Sequence, residues 1–147
     1  MRKIKFTLIE LISVIVILAI LAVFVSANPV NDNADLRFAV KLIRADIRFI
    51  QSLSLSNDNN SDLYQINFVN GEYSLTRASS VNTVPFPGTE STTRTISGIA
   101  ISANTDSIVF STFGAPDTDL LITVTDRDGN SETLTIDNVT GSITESL

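Results

Sequence analysis

The side chains that could do chemistry in this sequence are carboxylates, hydroxyls and three lysines, because its 147 residues include no histidine and no cysteine. A Ser-His-Asp triad, a cysteine nucleophile, an imidazole or thiolate zinc site and a disulfide each need one of the two absent residue types. The sequence also offers no motif that combines an acid, a base and a nucleophile. We therefore predict that the protein is not an enzyme, with no catalytic residue and no cofactor.

The segment Asp126-Arg-Asp128-Gly129-Asn130 carries closely spaced carboxylates of the kind that bind calcium. Calcium takes about six to eight oxygen ligands, and the order of acids, glycine and terminal glutamate in an EF-hand loop is not met here. An Asp-Gly pair between two alternating segments is typical of a hairpin turn. We predict no metal site and interpret this segment as a turn, with calcium binding as the alternative.

The charge is unevenly distributed along the chain, whose formal net charge is −6. Residues 1–5 carry three cations and no acid, residues 36–55 carry four cations and one acid, and residues 56–147 carry three arginines against twelve acids. General nucleic-acid affinity needs a segregated basic surface, which the acidic C-terminal part does not provide. We expect no nucleic-acid partner.

Residues 6–25 form a strongly apolar run in which Thr7, Glu10 and Ser13 are the polar members. As a helix at about 1.5 Å per residue, this run would be roughly 30 Å long, the thickness of a bilayer core. It follows a basic flank, which stays cytoplasmic during insertion. The sequence thus predicts a transmembrane helix over residues 6–27. An acid inside such a helix usually marks a function, although an acid near the membrane edge is also tolerated.

A secreted protein is the alternative. Val25-Ser-Ala27 presents small residues that a signal peptidase accepts. In that case the chain would be a signal-anchored or secreted β-rich binding domain whose ligand contacts lie in the Ser/Thr/Pro-rich loop 79–95.

The rest of the chain predicts one helix followed by strands. Leu36 to Leu55 has apolar residues at three- and four-residue spacing, with Asp35 as a plausible N-cap. Cations at positions 37, 41, 44 and 48 form one stripe of this helix, either a solvated face or a contact surface for the acidic β domain of another subunit. After residue 56 the apolar pattern alternates, and Asn70-Gly71 indicates a hairpin. We expect further strands at 96–101, 108–113, 120–125 and 132–136.

The predicted fold class is α+β. A long N-terminal helix, made of a membrane half and an amphipathic half, would pack on a C-terminal antiparallel β-sheet domain. The predicted segments are a basic leader at 1–5, a transmembrane and assembly helix at 6–27, a linker and amphipathic half-helix at 28–55, and an extracytoplasmic β-rich domain at 56–147.

The motif Phe6-Thr-Leu-Ile-Glu10, preceded by Lys3 and Lys5, resembles the N-terminal signature of type IV pilins and type II secretion pseudopilins. The resemblance implies that a prepilin peptidase removes the leader, that the new Phe6 amine is N-methylated, and that Glu10 pairs with the Phe6 amine of a neighbouring subunit. The family has Gly where this chain has Lys5. A small residue fits the peptidase site where lysine does not, so two alternatives stay open. Either the glycine that precedes Phe6 in the family has been lost from this sequence, or the leader stays uncleaved and leaves no free amine at Phe6.

Later segments resemble one branch of that family, the H-type minor pseudopilins and FimT/FimU-type minor pilins. They are Leu36 to Ser56, Ile108 to Gly114 with Pro116, and Leu134 to Ile143. Some FimT-like relatives bind DNA through basic residues near the C-terminus, but residues 137–147 carry no cation. Major pilins often close a C-terminal loop with a disulfide, which a chain without cysteine cannot form.

The resemblance therefore implies a minor pilin or pseudopilin, a structural subunit of a type IV pilus or a type II secretion pseudopilus. Its implied location is the bacterial inner membrane, as a single-pass protein with a periplasmic C-terminal domain that is later incorporated into the filament. The implied partners are other pilin or pseudopilin subunits, the prepilin peptidase, the inner-membrane assembly platform and membrane lipid.

Overall fold

The computed structural model describes residues 8–26, 33–57, 62–78 and 80–146. Two helices come first, α1 at Leu8–Ser26 and α2 at Ala34–Leu55. The strands of the described residues follow in this order: β1 Tyr64–Val69, β2 Glu72–Arg77, β3 Ser80–Thr83, β4 Thr93–Arg94, β5 Ala100–Ala103, β6 Ser107–Phe110, β7 Leu120–Thr125, β8 Ser131–Ile136 and β9 Ile143–Ser146.

The strands form two antiparallel sheets. The first has the order β3-β2-β1-β6, with β4 also paired to β2, and the second has the order β5-β7-β8-β9. Asn70 and Gly71 join β1 to β2 with positive φ angles of 52° and 82°, as expected for the two central residues of a tight hairpin turn. The chain is thus an α+β protein.

The predicted long N-terminal helix is wrong. α1 ends at Ser26 and α2 begins at Ala34, and the two helices belong to separate compact units, residues 1–32 and 33–147. The sequence between the helices contains Pro29. Proline has no amide hydrogen and its ring clashes with the preceding turn, so it is disfavoured inside a helix.

The predicted transmembrane helix and the single-pass inner-membrane location also need correction. A bilayer core requires a helix of about 20 predominantly apolar residues. Across residues 8–26, 33–57, 62–78 and 80–146, no helix is both long and apolar enough to cross a membrane.

In the unit of residues 33–147, α2 covers one continuous hydrophobic core shared by both sheets. The α2 side chains in this core recur every three or four residues, so they lie on one face of the helix. They are Leu36, Ala39, Val40, Ile43, Ile47 and Ile50. The sheets contribute alternate residues of their strands, among them Ile66, Leu75, Ile122 and Leu134.

The start of α2 differs from the prediction. Asn33 occupies the N-cap position without a side-chain capping hydrogen bond, and Asp35 lies in the first helical turn. An acid in this turn is stabilised by the partial positive charge of the helix N-terminus.

Candidate functional site

The side chains of α1 that the structure describes form an apolar surface around the whole helix. Its large apolar residues between positions 8 and 20 are 47–77% exposed. They are Leu8, Ile9, Leu11, Ile12, Val14, Ile15, Val16, Ile17, Leu18 and Ile20. A helix with apolar residues on every side is normally buried against apolar partners. This surface is far more extensive than the scattered apolar residues of an ordinary monomer surface.

Glu10 is the acidic residue in the first turn of α1, and its side chain is exposed. The Ser13 hydroxyl donates a hydrogen bond to the Glu10 carbonyl oxygen at 2.9 Å, which satisfies this serine locally within the helix. Lys5 and Phe6, the predicted processing and N-methylation residues, lie outside the described residues. The predicted assembly pair of Glu10 and Phe6 therefore stays a prediction.

The outward side of α2 combines an apolar strip with a cationic stripe. The strip consists of Phe38, Leu42 and Ala45, whose spacing places them on one face of the helix. Phe38 is 64% exposed, Leu42 is half-buried and Ala45 is exposed. The stripe beside it has the cations predicted from the sequence, Arg37, Lys41, Arg44 and Arg48. We call the strip and the stripe together the α2 outer face.

One cation of the α2 outer face is paired. Arg44 forms a 2.5 Å ion pair with Glu145 on β9, while Arg37, Lys41 and Arg48 make no ion pair with any residue that the structure describes. A cavity of about 310 Å³ lies beside this pair, between α2 and the β8–β9 edge of the second sheet. It is lined by Arg37, Val40, Lys41, Glu132, Glu145 and Ser146. Its walls thus carry two cations on the helix and two carboxylates on the strands.

A buried polar cluster lies where α2 meets the sheets. The carboxylate of Asp46 accepts hydrogen bonds from Arg94 Nε at 2.9 Å, from Arg94 Nη2 at 3.0 Å and from the Tyr73 hydroxyl at 2.6 Å. Burial, together with the hydrogen bond to Asp46, raises the pKa of Tyr73 well above its usual value. The hydrogen bonds to Asp46 also raise the pKa of Arg94. The Asp46 carboxylate is thus buried with its charge paired and three hydrogen bonds made.

The ligand-binding loop predicted for residues 79–95 is described from residue 80 onward, and the same cluster holds this described part. Phe86 is buried, with its ring 5.3 Å from the Tyr73 ring in an edge-to-face arrangement, and the Arg94 guanidinium lies 5.0 Å from the Phe86 ring centre. Arg94 itself is held by Asp46. The loop is therefore attached to the core through Phe86 and Arg94. The sequence alone does not indicate this cluster, because Asp46 reads there as a single acid in an otherwise basic helix.

Gln51 joins two loops at the C-terminal end of α2. Its side-chain amide nitrogen donates to the carbonyl oxygens of Gly114, at 3.0 Å, and Gly141, at 2.7 Å. Gly114 precedes β7 and Gly141 precedes β9, and both have positive φ angles, 74° and 67°. These glycines belong to the C-terminal segments on which the family resemblance depends.

Three exposed apolar side chains surround this junction. Leu55 is 63% exposed, Phe113 is 84% exposed and Val139 is 80% exposed. A Cβ added at Gly114 would lie 3.5 Å from Leu55 Cγ. A Cβ added at Gly141 would lie 2.9 Å from the Gly114 carbonyl oxygen. The α2 C-terminus and both glycine loops thus meet here. We call Leu55, Phe113 and Val139 the end patch.

The proposed turn at Asp126 to Asn130 connects β7 to β8. The Asp126 carboxylate accepts hydrogen bonds from the backbone of Asp128 and from both the backbone and the side chain of Asn130. The Asn130 side-chain hydrogen bond is the largest of the effects that lower the pKa of Asp126. The carboxylate thus closes the turn. Among the described residues, no group of three or more acidic side chains is arranged to hold a metal ion.

Comparison of the chain with family models, with curated proteins and with solved structures finds no match.

Proposed function

We propose that this protein is a structural subunit of a helical filament, a minor pilin or pseudopilin of a type IV pilus or a type II secretion pseudopilus. The observation that carries the proposal is the α1 surface, with large apolar side chains 47–77% exposed on every side. Exposure of this extent is unfavourable in water by roughly 25 cal/mol per Å² of apolar surface. Packing of α1 against the α1 helices of other copies removes that cost.

The sequence motif around α1 supports the same proposal. Glu10 lies in the first turn of an otherwise apolar surface, and the motif from Phe6 to Glu10 resembles the pilin and pseudopilin signature. When apolar helices pack together, an acid among them is stabilised where a cation of another subunit meets it. Glu10 thereby sets the axial position of each subunit, and Phe6 supplies the amine once the leader is removed.

The unit of residues 33–147 supplies lateral contacts between subunits in this proposal. Its buried polar cluster at Asp46 and its junction at Gln51 tie loops to the core. These interactions stabilise a fixed surface for lateral contacts. The protein therefore contributes to filament assembly and protein secretion through contacts, without a chemical step.

The proposal is tested by replacing Glu10. In cells that express the full chain, the wild-type protein is expected in the filament fraction released by shearing. The Glu10→Ala variant should be present at the same cellular level and absent from that fraction. Ser13→Ala is the matched control, because it also removes a polar side chain from α1, and it should enter filaments normally. Normal incorporation of Glu10→Ala, or a wild-type chain that never enters filaments, would contradict the proposal.

A further inference from the structure

The end patch is an apolar surface with an acidic rim. Asp117 lies three residues after Gly114, and Asp119 accepts a hydrogen bond from the backbone of Asn138 in the neighbouring loop at 2.9 Å. Asp137 begins that loop and accepts hydrogen bonds from Thr140. Residues 111–126 and 132–147 contain no lysine or arginine. The rim therefore carries three negative charges without a cation in either loop segment.

The α2 outer face has the complementary chemistry. Phe38, Leu42 and Ala45 form its apolar strip, and Arg37 and Lys41 flank the strip without an ion pair among the described residues. Asp46, the one acid between positions 36 and 55, is buried and paired with Arg94. The face therefore presents apolar area bordered by cations, two of which also line a cavity with the carboxylates of Glu132 and Glu145.

We propose that the end patch of one subunit binds the α2 outer face of a second copy of this chain. The apolar side chains of the two surfaces cover each other, and the rim acids face Arg37 and Lys41. Complementary charge of this kind favours one partner and one orientation over others. The inference rests on the proposed filament function and identifies the contact between the units of residues 33–147 in neighbouring subunits.

The two surfaces are different parts of the same chain, so the contact is heterologous. A heterologous contact leaves one unoccupied surface at each end of every complex. Repeating the contact builds an open row of subunits, unless the rotation between neighbours closes the row into a ring. A contact of the end patch with itself would stop at a dimer. The arrangement therefore suits a growing filament.

The chain has no cysteine, which allows a disulfide test without background. Full-length chains that carry both Phe38→Cys and Phe113→Cys are oxidised in sheared filaments and separated without reductant. We expect a ladder of dimers, trimers and larger species, because each subunit then carries both halves of the contact. A disulfide requires Cα atoms within about 7 Å, so the ladder reports direct proximity.

Each single variant is the first control. Phe38→Cys alone and Phe113→Cys alone should give no cross-linked dimer, and an equal mixture of the two should give mixed dimers. A dimer from either single variant alone would show a contact between identical surfaces and would overturn the inference. The pair Phe38→Cys and Val69→Cys is the second control. Val69 is 61% exposed in the β1–β2 hairpin, away from the end patch, so this pair should not cross-link.

A charge exchange tests the rim. In the double-cysteine chain, Lys41→Glu should lower the yield of the ladder about tenfold, because like charges then meet across the contact. Adding Asp117→Lys should restore the yield, whereas Asp106→Lys, an exposed acid in the β5–β6 loop, should not. Equal rescue by both lysines would contradict the assigned contact.

The failure of this inference is distinguishable from failure of the proposed function. If wild-type and double-cysteine chains enter filaments but no ladder forms, the contact is wrong and the filament role stands. If the wild-type chain never enters filaments, both are wrong. If a mixture of chains carrying only Phe38→Cys and chains carrying only Ile15→Cys gives mixed dimers, the α1 of another copy covers the α2 outer face, which also overturns the inference.

Discussion

The carboxylate of Asp46 on α2 accepts two hydrogen bonds from the guanidinium of Arg94 on β4, at 2.9 Å and 3.0 Å. Asp46 is 2% exposed. The pair joins the helix to a strand 48 residues further along the chain. It connects α2 directly to the segment that carries Phe86.

Removal of either Asp46 or Arg94 should destabilise the fold. We expect Asp46→Ala or Arg94→Ala to lower the free energy of unfolding by about 3–5 kcal/mol, because the remaining charge is left buried without its counter-charge. Chemical denaturation of the purified full chain measures this change. The exposed pair Arg44–Glu145 is the control, and Glu145→Ala should cost at most about 1 kcal/mol. Similar costs for Asp46→Ala and Glu145→Ala would show that burial of the pair does not matter.

The hydroxyl of Tyr73 should contribute both stability and a pH dependence. Tyr73→Phe removes a hydrogen bond to a charged group while keeping the ring against Phe86, so we expect a loss of about 2 kcal/mol at neutral pH. Denaturation measured from pH 7 to pH 12 checks this value.

The pH dependence has a defined sign. The folded state raises the pKa of Tyr73 above its ordinary value of 10.0. Above pH 10 the unfolded chain releases a proton that the folded chain retains, so the associated stability is complete below pH 10 and is lost as the pH rises. The wild-type chain should therefore lose up to about 1.4 kcal/mol per pH unit more than Tyr73→Phe. Parallel curves for the two proteins above pH 10 would contradict this role.

The position of Gly141 should be intolerant of any side chain. An added Cβ would lie 2.9 Å from the Gly114 carbonyl oxygen, and the Gln51 amide nitrogen is 3.1 Å away. Gly88 is the matched control, because it has a similar positive φ of 74° and nothing within 4 Å of an added Cβ. We expect Gly88→Ala to cost about 1–2 kcal/mol from backbone conformation alone. Gly141→Ala should lower the free energy of unfolding by about 1–3 kcal/mol more than Gly88→Ala does, since backbone atoms must shift. Thermal unfolding compares the two variants, and equal losses would rule out the clash.

The sequence predicts the elements that are determined by residues close together in the chain. The apolar spacing from Leu36 to Ile50 identifies the buried face of α2, because a helix repeats every 3.6 residues. Asn70-Gly71 identifies the β1–β2 hairpin, because the turn needs two residues that tolerate positive φ. β5 begins at Ala100, within the strand predicted for 96–101, and β6 ends at Phe110, short of the predicted end at 113.

The parts that the sequence does not predict depend on contacts between distant residues. No local pattern distinguishes Asp46 from a solvated acid until Arg94 and Tyr73 are placed beside it. The end patch likewise combines residues 55, 113 and 139, which no local period relates. The single long helix was predicted because the two apolar patterns follow each other, although the sequence between them contains Pro29.

The most direct test of the central claim measures whether other subunits cover α1. Ile15, in the middle of the described α1 surface, is 57% exposed in the single chain. Since the protein has no cysteine, Ile15→Cys provides one reactive thiol, and Val69→Cys provides a matched thiol on an exposed hairpin. Labelling with a water-soluble maleimide is compared between sheared filaments and the same chains dissociated in detergent-free denaturant. We predict that the thiol at position 15 is protected at least about tenfold in filaments while the thiol at position 69 reacts equally in both states. Equal labelling of position 15 in the two states would contradict the claim that α1 is buried by its copies.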